Sequence, residues 1–478
     1  MGDGIMPPAI VFRGRLWPAS EIAAIATARW NALGEPFRAS SQLTAMVMAN
    51  HPDAVALFFA LSACQAPLIL LPPDPLNWRT SPVIPPGTRL VLSPMLRHLE
   101  PQSAALGLDV QELPDSDLLP PARELPFLSC PGFVFFTSGS TGLARPVYRT
   151  TRSLVDASTA LTDALQFPPD AGVLGVLPLD RSYGMNNGLM AATVLGRPLG
   201  LLERFDHTEF LALCATGTYW YWAGTPVMAD ILSRSQQGGS AAMPAMCVVA
   251  GRLSVPVCNA FEARFSTPLR QLYGTTETLT ITVDTAPSQD VRSEMVVHPL
   301  PGVEVMIGDT PQELSSVGTP GRIWVRSRWL MEGYGFPPDL QSGGIVDGWW
   351  PTPDLGQVEA DGRLALLGRL DDRIRTGAGH VVTPGEVAAA LEGYPGVTDV
   401  AVVPINTAMG SALGALVEIA EAIRLLDLRN HLVRSLPAWT RPRALQTVSQ
   451  LPRLATGRVD RRACIELLED SLHFDNLS

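Results

Sequence analysis

The sequence predicts an α/β protein in two units: a large N-terminal domain, residues 1–369, of mixed, mostly parallel sheets with a β-rich lobe, and a small α+β domain, residues 370–478. Three observations predict it. Short apolar runs of strand length alternate with runs of helical spacing as far as Phe265. From Val303 onward, short strands are separated by glycine and proline turns, the mark of a more antiparallel lobe. After Gly368-Arg369 a charged segment, Asp371-Asp372-Arg373, precedes a second, smaller βα pattern.

In order along the chain, residues 18–33 read as an amphipathic helix, and Val47 to Pro75 as an apolar helix followed by an apolar strand. The uncharged stretch Ala54 to Leu71 is long enough to resemble a membrane span. Ser62, Gln65 and Pro67 interrupt it, and the proline-rich run from Pro72 ends it, so a buried helix running into a buried strand is expected. Phe133 to Phe136 is a short strand entering a loop of glycines and hydroxyls. Gly172 to Pro178, Thr218 to Gly224 and Met246 to Ala250 read as further buried strands, the last followed by a helix from Ser254 to Phe265. Val303 to Ile307, Arg322 to Val325 and Arg363 to Leu367 are the expected strands of the later lobe.

Composition narrows the function classes. Of the 478 residues 46% are hydrophobic and 17% charged, which fits a packed chain rather than a disordered one. A net charge of −11 with no basic stripe argues against nucleic acid as a partner. The six cysteines form no C-x-x-C pair and stand at no zinc-ligand spacing, so buried free thiols in a reducing cytoplasm are expected. Met1 to Met6 carries acid and leads into no apolar core, so no signal peptide and no membrane span are expected. The chain contains no lysine: all 35 basic residues are arginine. Schiff-base chemistry and a Walker A loop are thereby excluded.

The segment Thr137-Ser138-Gly139-Ser140-Thr141-Gly142 interleaves hydroxyls with glycines directly after a strand. Glycines let backbone N–H groups converge on an anion, and hydroxyls add neutral donors for phosphate oxygens. Residues 137–147 read T-S-G-S-T-G-L-A-R-P-V and resemble the phosphate loop T-S-G-S-T-G-x-P-K-G-V of the ANL superfamily of adenylate-forming enzymes. That superfamily includes acyl- and aryl-CoA synthetases and peptide-synthetase adenylation domains. The match is unbroken from Thr137 to Gly142, with Arg145 in the lysine position. Tyr273-Gly274-Thr275-Thr276-Glu277 resembles Y-G-x-T-E, and Gly368-Arg369-Leu370-Asp371-Asp372 resembles G-R-x-D-D. Trp350-Pro351-Thr352-Pro353-Asp354 is a degraded form of Y-x-T-G-D, with Pro353 for its glycine. Pro452 to Arg461 resembles the C-terminal motif P-x-x-x-x-G-K-[IV]-x-R, with Arg458 in place of its lysine.

The resemblance spans nearly the whole chain and implies an acetyl-CoA synthetase-like fold with a mobile C-terminal domain. It implies that the phosphate loop and Arg145 grip ATP. It places Tyr273, Gly274 and Thr275 against the nucleotide, with Thr276 on the α-phosphate and Glu277 on Mg²⁺. Asp354 and Arg369 are expected on the ribose, Asp371 at the domain hinge, and Arg458 between carboxylate and α-phosphate. An acid pocket is expected at Arg181, Tyr183, Gly184 and Gly251 and in the strand near residue 220, where alternation faces either Tyr219 and Tyr221 or Trp220 and Trp222 toward the acid. Gly377, Gly379 and His380 are expected along a tunnel for the thiol of coenzyme A or of carrier-protein phosphopantetheine. The implied activity is ATP-dependent activation of an aryl or modest-length acyl carboxylic acid as acyl-AMP, then transfer to that thiol. Alternatives on the same fold are an amide- or β-lactone-forming synthetase, or a nucleotide- or acyl-binding protein impaired in catalysis by Arg458.

Overall fold

The computed structural model describes residues 5–74, 84–99, 107–113, 125–137, 144–235, 243–251, 253, 255–285, 296–311, 313–314, 316–370, 374–375, 381–382, 384–407, 410–419, 422–453 and 459–475. Two eight-stranded sheets form the frame. One runs, in spatial order, Leu279–Val283, Leu269–Thr275, Met246–Ala250, Tyr219–Gly224, Gly172–Gly175, Leu199–Leu201, Ile10–Phe12 and Arg15–Trp17. It is parallel except for the outermost strand at each end. The other runs Asp339–Gln341, Gly333–Phe336, Pro146–Thr150, Gly132–Phe136, Leu68–Leu71, Thr44–Val47, Arg89–Leu92 and Asp109–Glu112. Its half from Gly132–Phe136 onward is parallel, and the remainder is antiparallel.

The expected β-rich lobe is a six-stranded sheet whose main strands, Val303–Thr310, Gly321–Ser327, Trp350–Val358 and Leu364–Arg369, pair antiparallel. After it comes a three-stranded sheet of Val397–Thr407, Gly410–Ile419 and Ala444–Val448. Helices Pro384–Glu392 and Leu425–Ser435 share one apolar core with it, and Arg461–Asp475 shares another. The fold class read from the sequence is therefore the one observed. The uncharged stretch near residue 60 is the helix Pro52–Ser62 and the strand Leu68–Leu71. Among the described residues no helix is long and apolar enough to cross a membrane. All six cysteines are buried free thiols.

One polar residue locks the two large sheets together. Asn50 follows the strand Thr44–Val47 and is buried. Its Nδ2 donates to the carbonyls of Leu177 and Leu202, each at 3.0 Å, just past two strands of the other sheet. Its Oδ1 accepts from Leu179 N at 2.9 Å. The amide thus satisfies three backbone groups that would otherwise be buried without partners. It also fixes the segment that leads to Arg181. Asn50→Ala is expected to destabilise the large unit by at least about 2 kcal/mol, because each orphaned buried group costs about 1–3 kcal/mol. Urea unfolding followed by tryptophan fluorescence checks this.

Candidate active site

The site assembles where parallel strands end, the usual mouth of an open α/β sheet. Gly132–Phe136 delivers Thr137, and Leu269–Thr275 delivers the turn Thr276-Glu277. The loop after Thr137 is closed at its base. Arg145 N donates to Thr137 Oγ1 at 2.9 Å, and Thr137 N donates to Arg145 O at 3.0 Å. The turn is closed reciprocally: Thr275 N donates to Thr278 Oγ1, and Thr278 N to Thr275 Oγ1, both at 3.2 Å. Gly274 is needed because a Cβ there would stand 2.2 Å from the Leu279 carbonyl oxygen.

These two segments meet. Glu277 is buried, and its Oε1 accepts from the Tyr334 hydroxyl at 2.6 Å. Arg145 Nη2 donates to the same hydroxyl at 3.1 Å and lies 3.8 Å from Glu277 Oε1. Its guanidinium rides over the Tyr334 ring, 4.1 Å from the centroid. Beneath them Arg149 is fully buried. It donates to the carbonyl of Thr276 and, at 3.0 Å, to that of Trp329. Burial pulls this guanidinium down to about 10, while Glu277 and Glu332 pull it up, so it stays charged near neutrality.

The expected ribose pair is also adjacent: Asp354 and Arg369 face each other across two antiparallel strands. Tyr273 donates its hydroxyl to Asp354 Oδ2 at 2.6 Å, joining the Tyr273-to-Glu277 segment to the Trp350-to-Asp354 segment. Thr276 Oγ1 accepts from Ser182 Oγ at 3.2 Å, which ties in the short helix Ser182–Gly184. A hard divalent cation suits this set, because its donors are carboxylate and hydroxyl oxygens. Among the described residues no group of three or more His, Cys, Asp or Glu side chains could hold a metal. One carboxylate, Glu277, fits Mg²⁺ that is held mostly by phosphates rather than by a protein cage.

Among the residues expected to line an acid pocket, Arg181 pairs its Nε with Asp180 Oδ2 at 3.0 Å and reaches the Phe136 carbonyl at 3.4 Å. Tyr183 bridges two strand ends, donating to Gly224 O at 3.0 Å and accepting from Ala250 N at 3.2 Å. Gly184 allows a close approach, since a Cβ there would lie 2.2 Å from the Pro178 carbonyl oxygen. Gly251 follows at the exposed end of its strand. The two tryptophans do not share a role. Trp222 is fully buried between Phe210 and Phe261, because helices His207–Cys214 and Val255–Phe265 cover that face of the sheet. Its side chain packs within the core. Trp220 is half-buried against Phe167, and Tyr221 donates to Asn187 Oδ1 at 2.8 Å.

Ser138, Gly139, Ser140, Thr141, Gly142, Asp371, Gly377, Gly379, His380 and Arg458 lie outside the described residues. Tyr334, Arg149 and Ser182 were not singled out from the sequence. The visible signal for Arg149 was a charge inside the otherwise uncharged strand that follows the phosphate loop. Tyr334 carried no such signal, because a tyrosine in a short strand reads as core.

With this geometry in view, the comparisons with known proteins agree. Residues 40–335 match the family described as AMP-binding enzyme, and residues 386–458 match the AMP-binding enzyme C-terminal domain. The chain belongs to the AMP-binding enzyme family, within the ANL superfamily. It is 29% identical to sulfoacetate–CoA ligase of Cupriavidus necator over 372 residues, which are 74% of this chain and 73% of that protein. It is 27% identical to 4-chlorobenzoate–CoA ligase of an Arthrobacter species over 73% of this chain and 68% of that one. The solved amide bond synthetase McbA from Marinactinospora thermotolerans superposes with a TM-score of 0.82 at 23% identity, covering 97% of this chain and 98% of that one.

Asp180 gives this AMP-binding enzyme a pH signature. It is buried, and burial raises its carboxyl from 3.8 to about 6, with the Arg181 charge opposing. The folded state therefore holds this proton between about pH 4 and pH 6, where the unfolded chain has lost it. The stability it contributes is present below the unfolded value and is lost as pH rises through about 6. Across that window the stability of Asp180→Asn relative to wild type is expected to rise with pH. Thermal unfolding at pH 4.5 and pH 7 reads the difference.

Proposed function

We propose that this enzyme activates a carboxylic acid with MgATP as acyl-AMP, releasing pyrophosphate, and then passes the acyl group to a thiol. The observation that carries the reading is the convergence of the phosphate-loop base, Thr137 and Arg145, with the Tyr273-to-Glu277 turn through the Tyr334 hydroxyl. Residues 1–369 form the large ATP-binding unit, and residues 370–478 a small unit that turns about Asp371.

In the first step the acid's carboxylate oxygen attacks the α-phosphorus, and the bond to the bridging oxygen of pyrophosphate breaks. Two anions must approach one another, so charge neutralisation and positioning carry most of the rate. Residues 137–142 and Arg145 hold the triphosphate, Thr276 the α-phosphate, and Asp354 with Arg369 the ribose. Glu277 would hold Mg²⁺, which supplies charge neutralisation as pyrophosphate leaves. Arg458 takes the place of the family's lysine between carboxylate and α-phosphate. Its planar fork can grip both anions, although it is bulkier than an ammonium group. In the second step the thiol sulfur attacks the acyl carbon and AMP departs. The thiol is that of coenzyme A or of a carrier protein's phosphopantetheine, reached past Gly377, Gly379 and His380.

The acid is a small molecule, with a flat aromatic or modest apolar acid fitting the Trp220, Tyr183 and Arg181 surroundings. Similarity to a 4-chlorobenzoate–CoA ligase supports an aryl acid. Likeness to an amide bond synthetase bears on the fold alone, and the acceptor is decided by product analysis with and without coenzyme A.

Pyrophosphate exchange and hydroxylamine trapping across a panel of acids test the reading. ATP-dependent acyl hydroxamate from at least one acid is expected. Tight ATP binding with no turnover for any acid favours a binding protein instead. Arg458→Ala is expected to lower exchange by about 100-fold or more, since losing one preorganised charge contact costs about 3–4 kcal/mol. Arg458→Lys should leave exchange similar or raise it, because the arginine accompanies a chain without lysine. A collapse of exchange in Arg458→Lys would give the arginine a dedicated role.

A further inference from the structure

Tyr334 lies on the short strand Gly333–Phe336, where it pairs with Val147 of the strand leaving the phosphate loop. Its ring is buried in a cluster with Val147, Met331 and Trp350. Three motifs separated by long stretches of chain therefore meet on one side chain: Arg145 from the phosphate loop, Glu277 from the nucleotide turn, and Trp350 from the ribose strand.

The hydroxyl has one proton to give. Arg145 donates to its oxygen at 3.1 Å, and the Trp350 side chain packs in the same cluster. An arginine cannot accept a proton. The tyrosine proton is thereby committed to Glu277 Oε1 at 2.6 Å.

The same segment holds the other end of the residue. Met331 N donates to the Glu277 carbonyl at 2.9 Å, and Glu332 N donates to the Tyr148 carbonyl at 2.9 Å. Glu277 is thus clamped by its backbone and by one carboxylate oxygen. Its Oε2 has no hydrogen-bond partner among the described residues and is not one of the buried oxygens sealed from solvent.

We propose that Tyr334 is a positioning residue: it fixes the rotamer of Glu277 by occupying Oε1 and leaves Oε2 presented to the magnesium-complexed triphosphate. Arg145, stacked on the ring, completes the device by holding the phenol in place from the phosphate-loop side. The inference rests on the function proposed above. A carboxylate fixed before its ligand arrives loses less freedom on binding, and a hydrogen-bonded partner of a metal ligand is worth about 10–100-fold in metal affinity.

Tyr334→Phe keeps the ring and removes only the hydroxyl. Calorimetric titration of ATP into wild type and variant, once with excess Mg²⁺ and once with EDTA, gives two Kd values for each protein. The ratio of the EDTA value to the Mg²⁺ value is expected to fall about 10-fold or more in Tyr334→Phe, with the EDTA value nearly unchanged. A thermal-unfolding scan of the same samples verifies that the variant is folded. An unchanged ratio, or equal weakening under both conditions, overturns the proposal and leaves the ATP site standing. Wild-type protein that binds no nucleotide under either condition overturns both.

Discussion

Glu277 is a carboxylate kept almost out of water, and the architecture around it follows from the need to hold it there. Burying an unpaired anion is costly. The chain meets that cost with the Tyr334 hydroxyl, with Arg145 at 3.8 Å, and with the buried charge of Arg149 below. Arg149 also grips the carbonyls of Thr276 and Trp329, so the charge that balances Glu277 fastens the backbone on either side of it. Two sheets and the β-rich lobe each contribute one wall: the turn at Thr276, the strand at Tyr334, and the strand at Trp350. Asn50 keeps the two sheets in the relation this requires.

Much of this could be read in the residues. Unbroken apolar runs such as Phe133 to Phe136 and Met246 to Ala250 become buried parallel strands, because such strands bury both faces. The glycine and proline punctuation after Val303 becomes an antiparallel sheet. Motif order led to the expectation of Thr137, Tyr273, Glu277, Asp354 and Arg369 in one place; in the structure Arg145, bonded to Thr137, lies 3.8 Å from Glu277, and Tyr273 bonds Asp354 opposite Arg369. What escaped has physical reasons. Strand alternation leaves open which face the helices cover, and Trp222 falls on the covered one. Tyr334 and Arg149 act through tertiary contacts with residues more than a hundred positions away in one case or the other, and no local pattern encodes such a meeting.

Replacing every lysine by arginine has a local consequence at this site. A lysine at position 145 would offer a compact, hydrated point charge. Arg145 instead lays a flat guanidinium over the Tyr334 ring while donating to its hydroxyl, a geometry open to a planar fork. Arg145, bonded to Thr137, is thus tied to Glu277 through a stacked tyrosine rather than by a mobile ammonium. Position 458, where the resembled C-terminal motif has a lysine, is likewise an arginine.

A crystal structure of the protein grown with Mg²⁺ and a non-hydrolysable ATP analogue tests the central claim most directly. The account predicts triphosphate density between residues 137–142 and Glu277, a metal on Glu277 Oε2, and the Tyr334 hydroxyl still on Oε1. Nucleotide bound elsewhere, or a crevice left empty at saturating analogue, would contradict it.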